Sequence, residues 1–365
     1  MTYTIPQAAG WDSPAMPSKS RSWLQSLKRF GRLSYDIGID LGTSNTVIHI
    51  PEQGIVVREP SILAMQAETQ EPLAIGAGAR QMLGRNASDV RVERPICNGV
   101  VAEFDLAKLM LQHFLERAGA RVLNPRIAVG CSSGATEVER WALTDLVLQT
   151  GARKAYLIDE PIAAAIGAGL PVNQPMGNLI IDMGGGTTEV SVVSLLGIVA
   201  NAAIPIAGNS LDQAVKDYFR HTHDLRIGEL MAESLKIKYG SAVPDNALDN
   251  TPVEVVGLLL RTGLTGTVKI QRGDLRAALA KPLSAIVKTV KQVLGQISPE
   301  LMSDICDRGL LLTGGGALIP GLDALLRQEM GLMVHIVENP LDSVAIGASS
   351  ALQNRHYENV LHLAS

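Results

Sequence analysis

Aromatic side chains are scarce in this sequence, since Phe, Trp and Tyr together account for 4% of its 365 residues. Any core must therefore be aliphatic, and the hydrophobic content of 46% is sufficient to build one. Charged residues make up only 19% of the chain. These proportions exclude a disordered chain, a collagen and a coiled coil, and they predict a globular protein.

Cysteine is rare as well. The three cysteines, Cys97, Cys131 and Cys306, are widely spaced and odd in number. This excludes a disulfide framework and a metal or redox site built from paired cysteines, and it fits a reducing compartment. Cys131 is predicted to be a small buried residue.

Long hydrophobic runs and an excess of positive charge are also missing. No apolar run reaches the length of about 18 residues that spans a bilayer, and the start of the chain lacks the pattern of a secretory signal. The formal net charge of −4 argues against a protein that coats nucleic acid. We therefore expect a cytoplasmic protein without a nucleic-acid partner.

A basic amphipathic segment lies within residues 1–34, which are otherwise predicted to form a flexible, proline-containing lead-in. The apolar residues that recur at helical spacing, over a candidate helix 21–33, are Trp23, Leu24, Leu27 and Phe30. Such a segment could contact a membrane surface, a groove on a partner or the protein's own domain. Its basic residues and lack of acids favour an anionic membrane.

A strand–turn–strand pattern occurs twice in the chain, at residues 37–50 and 179–194. Both copies place an aspartate, Asp40 or Asp182, at the end of an apolar strand and continue with Gly and Thr. The duplication predicts two related α/β domains, although two glycine turns can also be alike by chance.

Each of the two turns has the composition of a phosphate-binding loop. Glycine lets backbone N–H groups approach an anion, and the hydroxyl side chains add further donors. Because a buried carboxylate needs a partner, Asp40 and Asp182 are candidates to hold Mg²⁺ through water. The candidate phosphate-binding residues are Gly42, Thr43, Ser44 and Asn45 in the first turn and Gly184, Gly185, Gly186, Thr187 and Thr188 in the second.

Two further groups of residues could bind a nucleoside. Glu233 and Lys236 lie three residues apart on one face of a predicted helix and could hold ribose hydroxyls, although such a pair is usually a solvated salt bridge. A third glycine cluster follows a buried strand and would let a flat ligand lie against the backbone, although such a cluster is more often only a turn. Its residues are Gly314, Gly315, Gly316 and Ala317.

These motifs resemble the actin, sugar kinase and heat-shock ATPase superfamily, and within it the MreB family of bacterial actins. The resemblance covers roughly residues 35–352 and includes several ordered motifs besides the three glycine clusters. They are the stretches 59–61, 82–84, 94–95, 160–167, 227–229 and 340–347.

The resemblance implies an actin-like α/β fold with an ATP site in the cleft between two duplicated domains. Each domain carries a small inserted subdomain. The implied bounds are 35–176 and 346–365 for domain I, 177–345 for domain II, and about 64–105 and 212–275 for the two subdomains.

The resemblance also implies roles for individual residues. Asp40 and Asp182 match metal-side carboxylates. Thr187 and Asp182 would lie beside the phosphates and belong to the catalytic group. Glu160 matches a side chain that orients the attacking water, and we favour it over Asp159. The alternative is a carboxylate that only stabilises a helix start.

Two segments depart from, or add to, the family pattern. Gly208, a candidate nucleotide-binding residue, is followed by Asn209 and Ser210 where the family has two carboxylates, so nucleotide turnover could differ. Val122 and Leu123 match a loop that contacts the membrane in this family.

Two other motifs indicate competing sites. Residues 130–134 fit the G-x-S-x-G pattern of a hydrolase nucleophile, but a small turn in which Ser132 or Ser133 caps the next helix explains them better. His221 and His223 could bind a metal ion, but they lack a third ligand at a defined spacing.

The leading prediction is an actin-like ATPase that forms filaments on the inner face of the cytoplasmic membrane and organises cell-wall growth and rod shape. Its partners would be further copies of itself, the membrane and wall-elongation proteins. The alternative is a divergent family member that acts as a nucleotide-switched scaffold with little hydrolysis or polymerisation. A small-molecule kinase would need an acceptor pocket with a catalytic Asp, for which the sequence shows no candidate.

Overall fold

The computed structural model describes residues 36–119, 124–245 and 247–363. The predicted membrane-contacting residues lie outside these ranges: Trp23, Leu24, Leu27, Phe30, Val122 and Leu123. None of the described helices is both long and apolar enough to cross a bilayer.

The chain alternates between strands and helices, as the sequence pattern predicts. The strands are β1 (Asp36–Leu41), β2 (Asn45–Ile50), β3 (Gly54–Pro60), β4 (Leu63–Gln66), β5 (Pro72–Ile75), β6 (Val90–Glu93), β7 (Ile96–Cys97), β8 (Val100–Val101), β9 (Arg126–Cys131), β10 (Lys154–Asp159), β11 (Asn178–Met183), β12 (Thr188–Ser194), β13 (Gly197–Ile204), β14 (Leu225–Arg226), β15 (Pro252–Leu259), β16 (Thr265–Gln271), β17 (Leu310–Thr313), β18 (Val334–Ile336) and β19 (His362–Leu363). The helices are α1 (Ala77–Met82), α2 (Phe104–Arg117), α3 (Glu137–Gln149), α4 (Glu160–Gly167), α5 (Gly208–His223), α6 (Glu229–Tyr239), α7 (Arg272–Leu294), α8 (Pro299–Arg308), α9 (Leu322–Met330) and α10 (Ser343–Gln353), with 3₁₀ turns at Gly315–Leu318 and Arg355–Val360.

Two large mixed sheets organise the described part of the chain. The first large sheet has the strand order β19-β10-β9-β1-β2-β3, and the second has the order β13-β12-β11-β17-β18. In each sheet an antiparallel hairpin, β1–β2 or β11–β12, lies beside a parallel strand, β9 or β17. The two copies of the sequence pattern therefore occupy equivalent positions in two similar sheets.

Smaller sheets extend from each large one. Strands β5-β4-β6 form one small sheet after β3, and strands β14-β15-β16 form another after α5. Helix α1 packs on the first small sheet, through the buried Ala79. Helix α6 leads away from β14 and packs against the core of the second large sheet through Ala232 and Leu235.

The core is aliphatic, as the scarcity of aromatic residues predicts. Ile, Leu, Val and Ala fill the clusters around both large sheets, and Phe114 and Phe219 are the only aromatic side chains among the largest fully buried ones of the described residues. Cys131 is buried, which confirms the prediction for it.

Helices α4 and α10 cross between the two large sheets, where small residues permit close approach. A Cβ added to Gly347 would lie 1.8 Å from the carbonyl oxygen of Ala163, and one added to Gly167 would lie 1.9 Å from that of Ser343. The surrounding cluster joins Ala128 of the first sheet to Ile180 of the second. This crossing fixes the floor of the cleft between the sheets.

The predicted cap of α3 is wrong. Thr136, rather than Ser132 or Ser133, caps this helix, and it forms a reciprocal capping box with Glu139. The two serines lie too far before the helix start and bind a side chain of the other large sheet instead.

Candidate functional site

A cavity of about 360 Å³ lies between the two large sheets. It gathers predicted residues from distant parts of the chain, since its wall contains both glycine turns, the third glycine cluster and α6. The predicted residues that line it are Asp40, Gly42, Thr43, Ser44, Asn45, Glu160, Asp182, Gly184, Gly185, Gly186, Thr187, Gly208, Glu233, Lys236, Gly314, Gly315 and Gly316.

Thr188 and Ala317 lie behind this wall. Thr188 is fully buried, and its hydroxyl donates to the carbonyl oxygen of Ile206. Ala317 is 2% exposed. Both residues therefore support the turns from behind, and the structure does not bring their side chains into the cavity.

The two turns have the same backbone geometry. The N–H of Gly42 donates to the carbonyl oxygen of Asn45 at 3.1 Å, and the N–H of Gly184 donates to that of Thr187 at 2.9 Å. Each turn is thus closed by a hydrogen bond between residues three apart. This equivalence shows that the duplicated sequence pattern folds into a duplicated structure.

The two turns face each other across the cleft at close range. A Cβ added to Gly185 would lie 2.0 Å from Ser44 Oγ, and one added to Gly186 would lie 2.6 Å from Thr43 Oγ1. Ser44 Oγ also donates to Asn209 Oδ1 at 3.3 Å. Glycine is therefore required in the second turn because the first turn occupies the space that a side chain would need.

Burial changes the acidity of the two predicted metal-side carboxyls. Burial, and then the charge of Asp342, raise the pKa of Asp40 from 3.8 to about 7. Burial, and then the charges of Asp40 and Glu189, raise the pKa of Asp182 from 3.8 to about 8. A cation between these groups would favour their ionised forms.

The donor set of this pair fits a hydrated magnesium ion. No group of three or more His, Cys, Asp or Glu residues suited to enclose an ion occurs in the described ranges. Two carboxylates beside turns of exposed backbone N–H groups match an ion that keeps much of its water shell and shares it with phosphate. Asp40 and Asp182 are the residues that would hold it.

Glu160 and Asp159 have different surroundings, although they are adjacent. Asp159 Oδ1 accepts a hydrogen bond from Arg140 at 2.8 Å. Glu160 begins α4, lines the cavity and has a pKa well above its usual value, because of burial first and then the charges of Glu189 and other carboxylates. Of the two, Glu160 is therefore the group that is free to act on a ligand in the cleft.

The predicted ribose-side residues meet partners from both sides of the cleft. Lys236 Nζ donates to the carbonyl oxygen of Gly208 at 3.0 Å and lies 2.9 Å from Asp212 Oδ1. Glu233 pairs with Arg80 of α1, the helix that packs on the small sheet on the other side. The solvated Glu233–Lys236 pair of the alternative interpretation does not form.

The third glycine cluster packs against the second turn. A Cβ added to Gly314 would lie 2.4 Å from Asp182 Oδ1, and one added to Gly316 would lie 2.2 Å from Met183 Cγ. Gly314 also has a φ of 78°, in the left-handed region that favours glycine. The cluster therefore lets the chain pass directly over the Asp182 carboxylate.

Several cavity-lining residues were not predicted from the sequence. Asp212 lies on the buried face of α5, next to Leu211, and its carboxyl has a pKa raised to about 6, chiefly by burial. An acidic residue on the apolar face of a helix is the signal that could have identified it. Arg58, which pairs with the buried Asp342 at 2.6 Å, carries no comparable signal.

The competing motifs do not form catalytic or metal sites in the described residues. The side-chain hydrogen bonds of Ser132 and Ser133 with other side chains involve Glu189 and Asn201 and no histidine. The Nε2 atom of His223 lies 3.2 Å from the hydroxyl of Tyr218.

Comparisons with known proteins agree with this geometry. The family model for MreB/Mbl protein matches residues 34–359. The chain is 40% identical over 321 residues to the cell shape-determining protein Mbl of Bacillus subtilis, which covers 87% of this chain and 96% of that protein. It is 42% identical over 335 residues to the cell shape-determining protein MreB of Escherichia coli, which covers 90% and 96%, respectively.

Solved structures of a relative have the same fold. MreB5 of Spiroplasma citri bound to ADP superposes with a TM-score of 0.84 at 32% identity, over 89% of this chain and 98% of that one. The same protein bound to AMPPNP also gives a TM-score of 0.84 and covers 90% of this chain. The actin-like fold predicted from the motifs is thereby confirmed, and the chain belongs to the MreB/Mbl protein family.

Proposed function

We propose that this protein binds and hydrolyses ATP in the cleft and assembles into filaments that determine cell shape. The observation that carries the proposal is the pair of equivalent glycine turns, which face each other from the two large sheets with a carboxylate behind each. Relatives named as cell shape-determining proteins, and a related structure bound to ADP, support it.

Different residues of the cleft would bind the phosphates, the metal ion, the ribose and the base. Backbone N–H groups of the turns 42–45 and 184–187 would hold the phosphates, and Asp40 and Asp182 would hold hydrated Mg²⁺. When bound, the ion would neutralise charge on the phosphates. Lys236 and Glu233 would hold the ribose, and the backbone at 314–316 would lie against the base.

Glu160 is the residue that would orient the attacking water. Its raised pKa means that, without a cation nearby, its carboxyl holds a proton more readily than an exposed Glu does, but phosphoryl transfer depends more on placing the nucleophile than on removing its proton early. Thr187 faces the same space from the other sheet and would hold the water or a phosphate oxygen through its hydroxyl.

Phosphate release tests the hydrolysis proposal. We expect Glu160→Gln to lower the rate by about tenfold to a hundredfold, because the amide keeps the shape but loses the negative charge and one of the two acceptor oxygens. Glu137→Gln is the matched control, since it makes the same change at an exposed helix start. A wild-type rate equal to that of Glu160→Gln would instead favour the nucleotide-switched scaffold.

Sedimentation tests the filament proposal. We expect the protein to pellet with Mg-ATP and to remain in the supernatant without nucleotide. ATP would close the cleft and favour contacts between subunits, and hydrolysis would weaken those contacts. The absence of sedimentable polymer with every nucleotide would refute filament formation.

Membrane association is proposed from the basic amphipathic segment around Trp23 and Phe30. Liposome co-sedimentation with anionic vesicles should be strong for the wild type and weak for Trp23→Glu/Phe30→Glu. Equal binding of the two proteins would contradict this part of the proposal. A role at the inner membrane face in organising wall-elongation proteins depends on that result.

A further inference from the structure

A polar bridge joins the two large sheets beneath the predicted phosphate site. Ser132 and Ser133 follow β9 of the first sheet, and Glu189 belongs to β12 of the second. Ser132 Oγ donates to Glu189 Oε1, and Ser133 Oγ donates to Oε2 at 3.0 Å. Asn201 of β13 adds a bond to Ser133 Oγ at 2.9 Å. The bridge therefore accounts for the serines of the G-x-S-x-G motif.

Glu189 is an unusual residue at this position. It is 2% exposed, and every hydrogen bond to its carboxylate that comes from the described residues is donated by Ser132 or Ser133. A buried carboxylate without a cationic partner is costly, and burial raises the pKa of Glu189. An apolar residue would be more stable in the core, so the carboxylate is better explained by a function than by stability.

The bridge lies between the two residues predicted to act in hydrolysis. A Cβ added to Gly130, two residues before Ser132, would lie 3.2 Å from Glu160 Cγ. A Cβ added to Gly99 would lie 3.9 Å from both Ser132 Cβ and Thr187 Oγ1. The end of β9 thus packs near Glu160, and Ser132, which follows it, lies in the vicinity of Thr187.

The strand that carries Glu189 also carries the second turn. Glu189 lies two residues after Thr187 and pairs with Asp182 in the β11–β12 register. A force on its carboxylate is therefore transmitted directly to the turn. The bridge connects this turn to the end of β9, which packs against Glu160, across the boundary between the sheets.

We propose that Glu189 is a positioning residue for ATP hydrolysis, which acts by holding Ser132 and Ser133 so that Glu160 and Thr187 keep a fixed separation in the closed cleft. This inference rests on the proposed ATP hydrolysis. Phosphoryl transfer is sensitive to such a separation, because a displacement of about 1 Å can cost about a hundredfold in rate. Glu189 also lines the cavity, and the role proposed for it here is to hold the neighbouring residues in place.

Steady-state kinetics distinguish positioning from general destabilisation. We expect Ser132→Ala/Ser133→Ala and Glu189→Ala to lower kcat by about tenfold or more while KM for Mg-ATP changes by less than about threefold. Glu189→Gln should recover most of the rate, because its amide oxygen still accepts from Ser132. Ser350→Ala is the control, since among the described residues its hydroxyl donates to Ile346 within its own helix α10.

Distance measurements separate failure of the bridge from failure of the proposed function. Spin labels on Leu73→Cys and Leu264→Cys, which are exposed sites on the two sides of the cleft, would be compared in a Cys97→Ser/Cys306→Ser background with and without AMPPNP and Mg²⁺. We expect the nucleotide to narrow the distance distribution in the wild type but much less in Ser132→Ala/Ser133→Ala.

The outcomes are distinct. In one outcome, nucleotide narrows the distance distribution of the wild type but not that of the double variant, and the wild type releases no phosphate. The bridge then stands as a closure element, and the hydrolysis proposal fails. A double variant that matches the wild type in distance and, within about twofold, in kcat would overturn the bridge. If the variants lose both kcat and protein stability, and Glu189→Gln does not restore the rate, the bridge is only a structural contact. A wild type that shows neither narrowing nor phosphate release would overturn both proposals.

Discussion

At the residue scale, the cleft concentrates carboxyl groups whose pKa burial raises, which makes them weaker acids than exposed carboxyls. Asp182 illustrates the consequence, since its pKa is raised to about 8 in the folded protein without metal. An exposed Asp in an unfolded chain has a pKa of about 3.9. The folded state therefore binds more protons than the unfolded state between about pH 4 and pH 8, so stability falls as the pH rises through that window.

The first prediction follows from this fall in stability with rising pH. In the metal-free protein, the free energy of unfolding measured with urea should decrease from about pH 5.5 to about pH 8.5, and Asp182→Asn should reduce that decrease. Asp89→Asn, which changes an exposed side chain, should leave the pH dependence as in the wild type. Identical pH dependence for Asp182→Asn and the wild type would contradict the assignment.

The second residue-scale prediction concerns the contact between the turns. Gly186→Ala would place a Cβ 2.6 Å from Thr43 Oγ1 and 3.0 Å from Asn98 Cα, which forces the turns apart. We expect the Kd for Mg-ATP to rise by about tenfold or more, as titration calorimetry can measure. In Gly197→Ala the nearest atom is 3.6 Å away, so this control should bind normally. Normal binding by Gly186→Ala would show that the turns separate without cost.

At the element scale, the crossing of α4 and α10 depends on the absence of side chains. Gly347→Ala would bring a Cβ to 1.8 Å from the backbone of Ala163, and a backbone atom cannot move aside as a flexible side chain can. We expect a loss of about 1–3 kcal/mol or more in the free energy of unfolding, measured with urea. Gly295→Ala meets nothing closer than 3.5 Å and should not destabilise the protein. Equal stability of both variants would contradict this account of the crossing.

At the scale of the whole molecule, two ion pairs close the mouth of the cleft. Arg80 and Arg94, from the region of the first small sheet, pair with Glu233 and Glu229 of α6. These side chains are 27–41% exposed, so each pair contributes only about 1 kcal/mol or less. Such pairs are suited to slowing the release of a ligand without preventing it.

The prediction at this scale is kinetic. Arg94→Gln should increase the dissociation rate of a fluorescent ATP analogue by about three- to fivefold in stopped-flow measurements, with less effect at high salt. Lys291→Gln removes an ion pair of similar exposure between α7 and α9 and serves as the control. Equal dissociation rates for Arg94→Gln and the control would show that the mouth does not limit release.

Much of the fold could be predicted from the sequence because its signals are local. The hairpins around Asp40 and Asp182 were expected at residues 37–50 and 179–194, close to their observed bounds. A strand–turn–strand pattern is decided by residues within about ten positions of one another. The candidate phosphate turns could therefore be identified before the structure was known.

Other parts of the site had no local signal. Ser132 meets Glu189 across 57 positions of sequence, and Arg58 meets Asp342 across 284. The serines carried a hydrolase motif that indicated the wrong partner, and the sequence placed Glu189 on a strand without a role. Only the packing of the two sheets brings these groups together.

The sequence by itself determined the two turns, the carboxylate beside each and the aliphatic core, because backbone conformation and burial follow from neighbouring residues and composition. The tertiary structure decided which carboxyls share one cavity, which cations reach them and which hydroxyls join the sheets. The physical reason is that Coulomb interactions and hydrogen bonds depend on distance through space, which the order of residues along the chain does not specify.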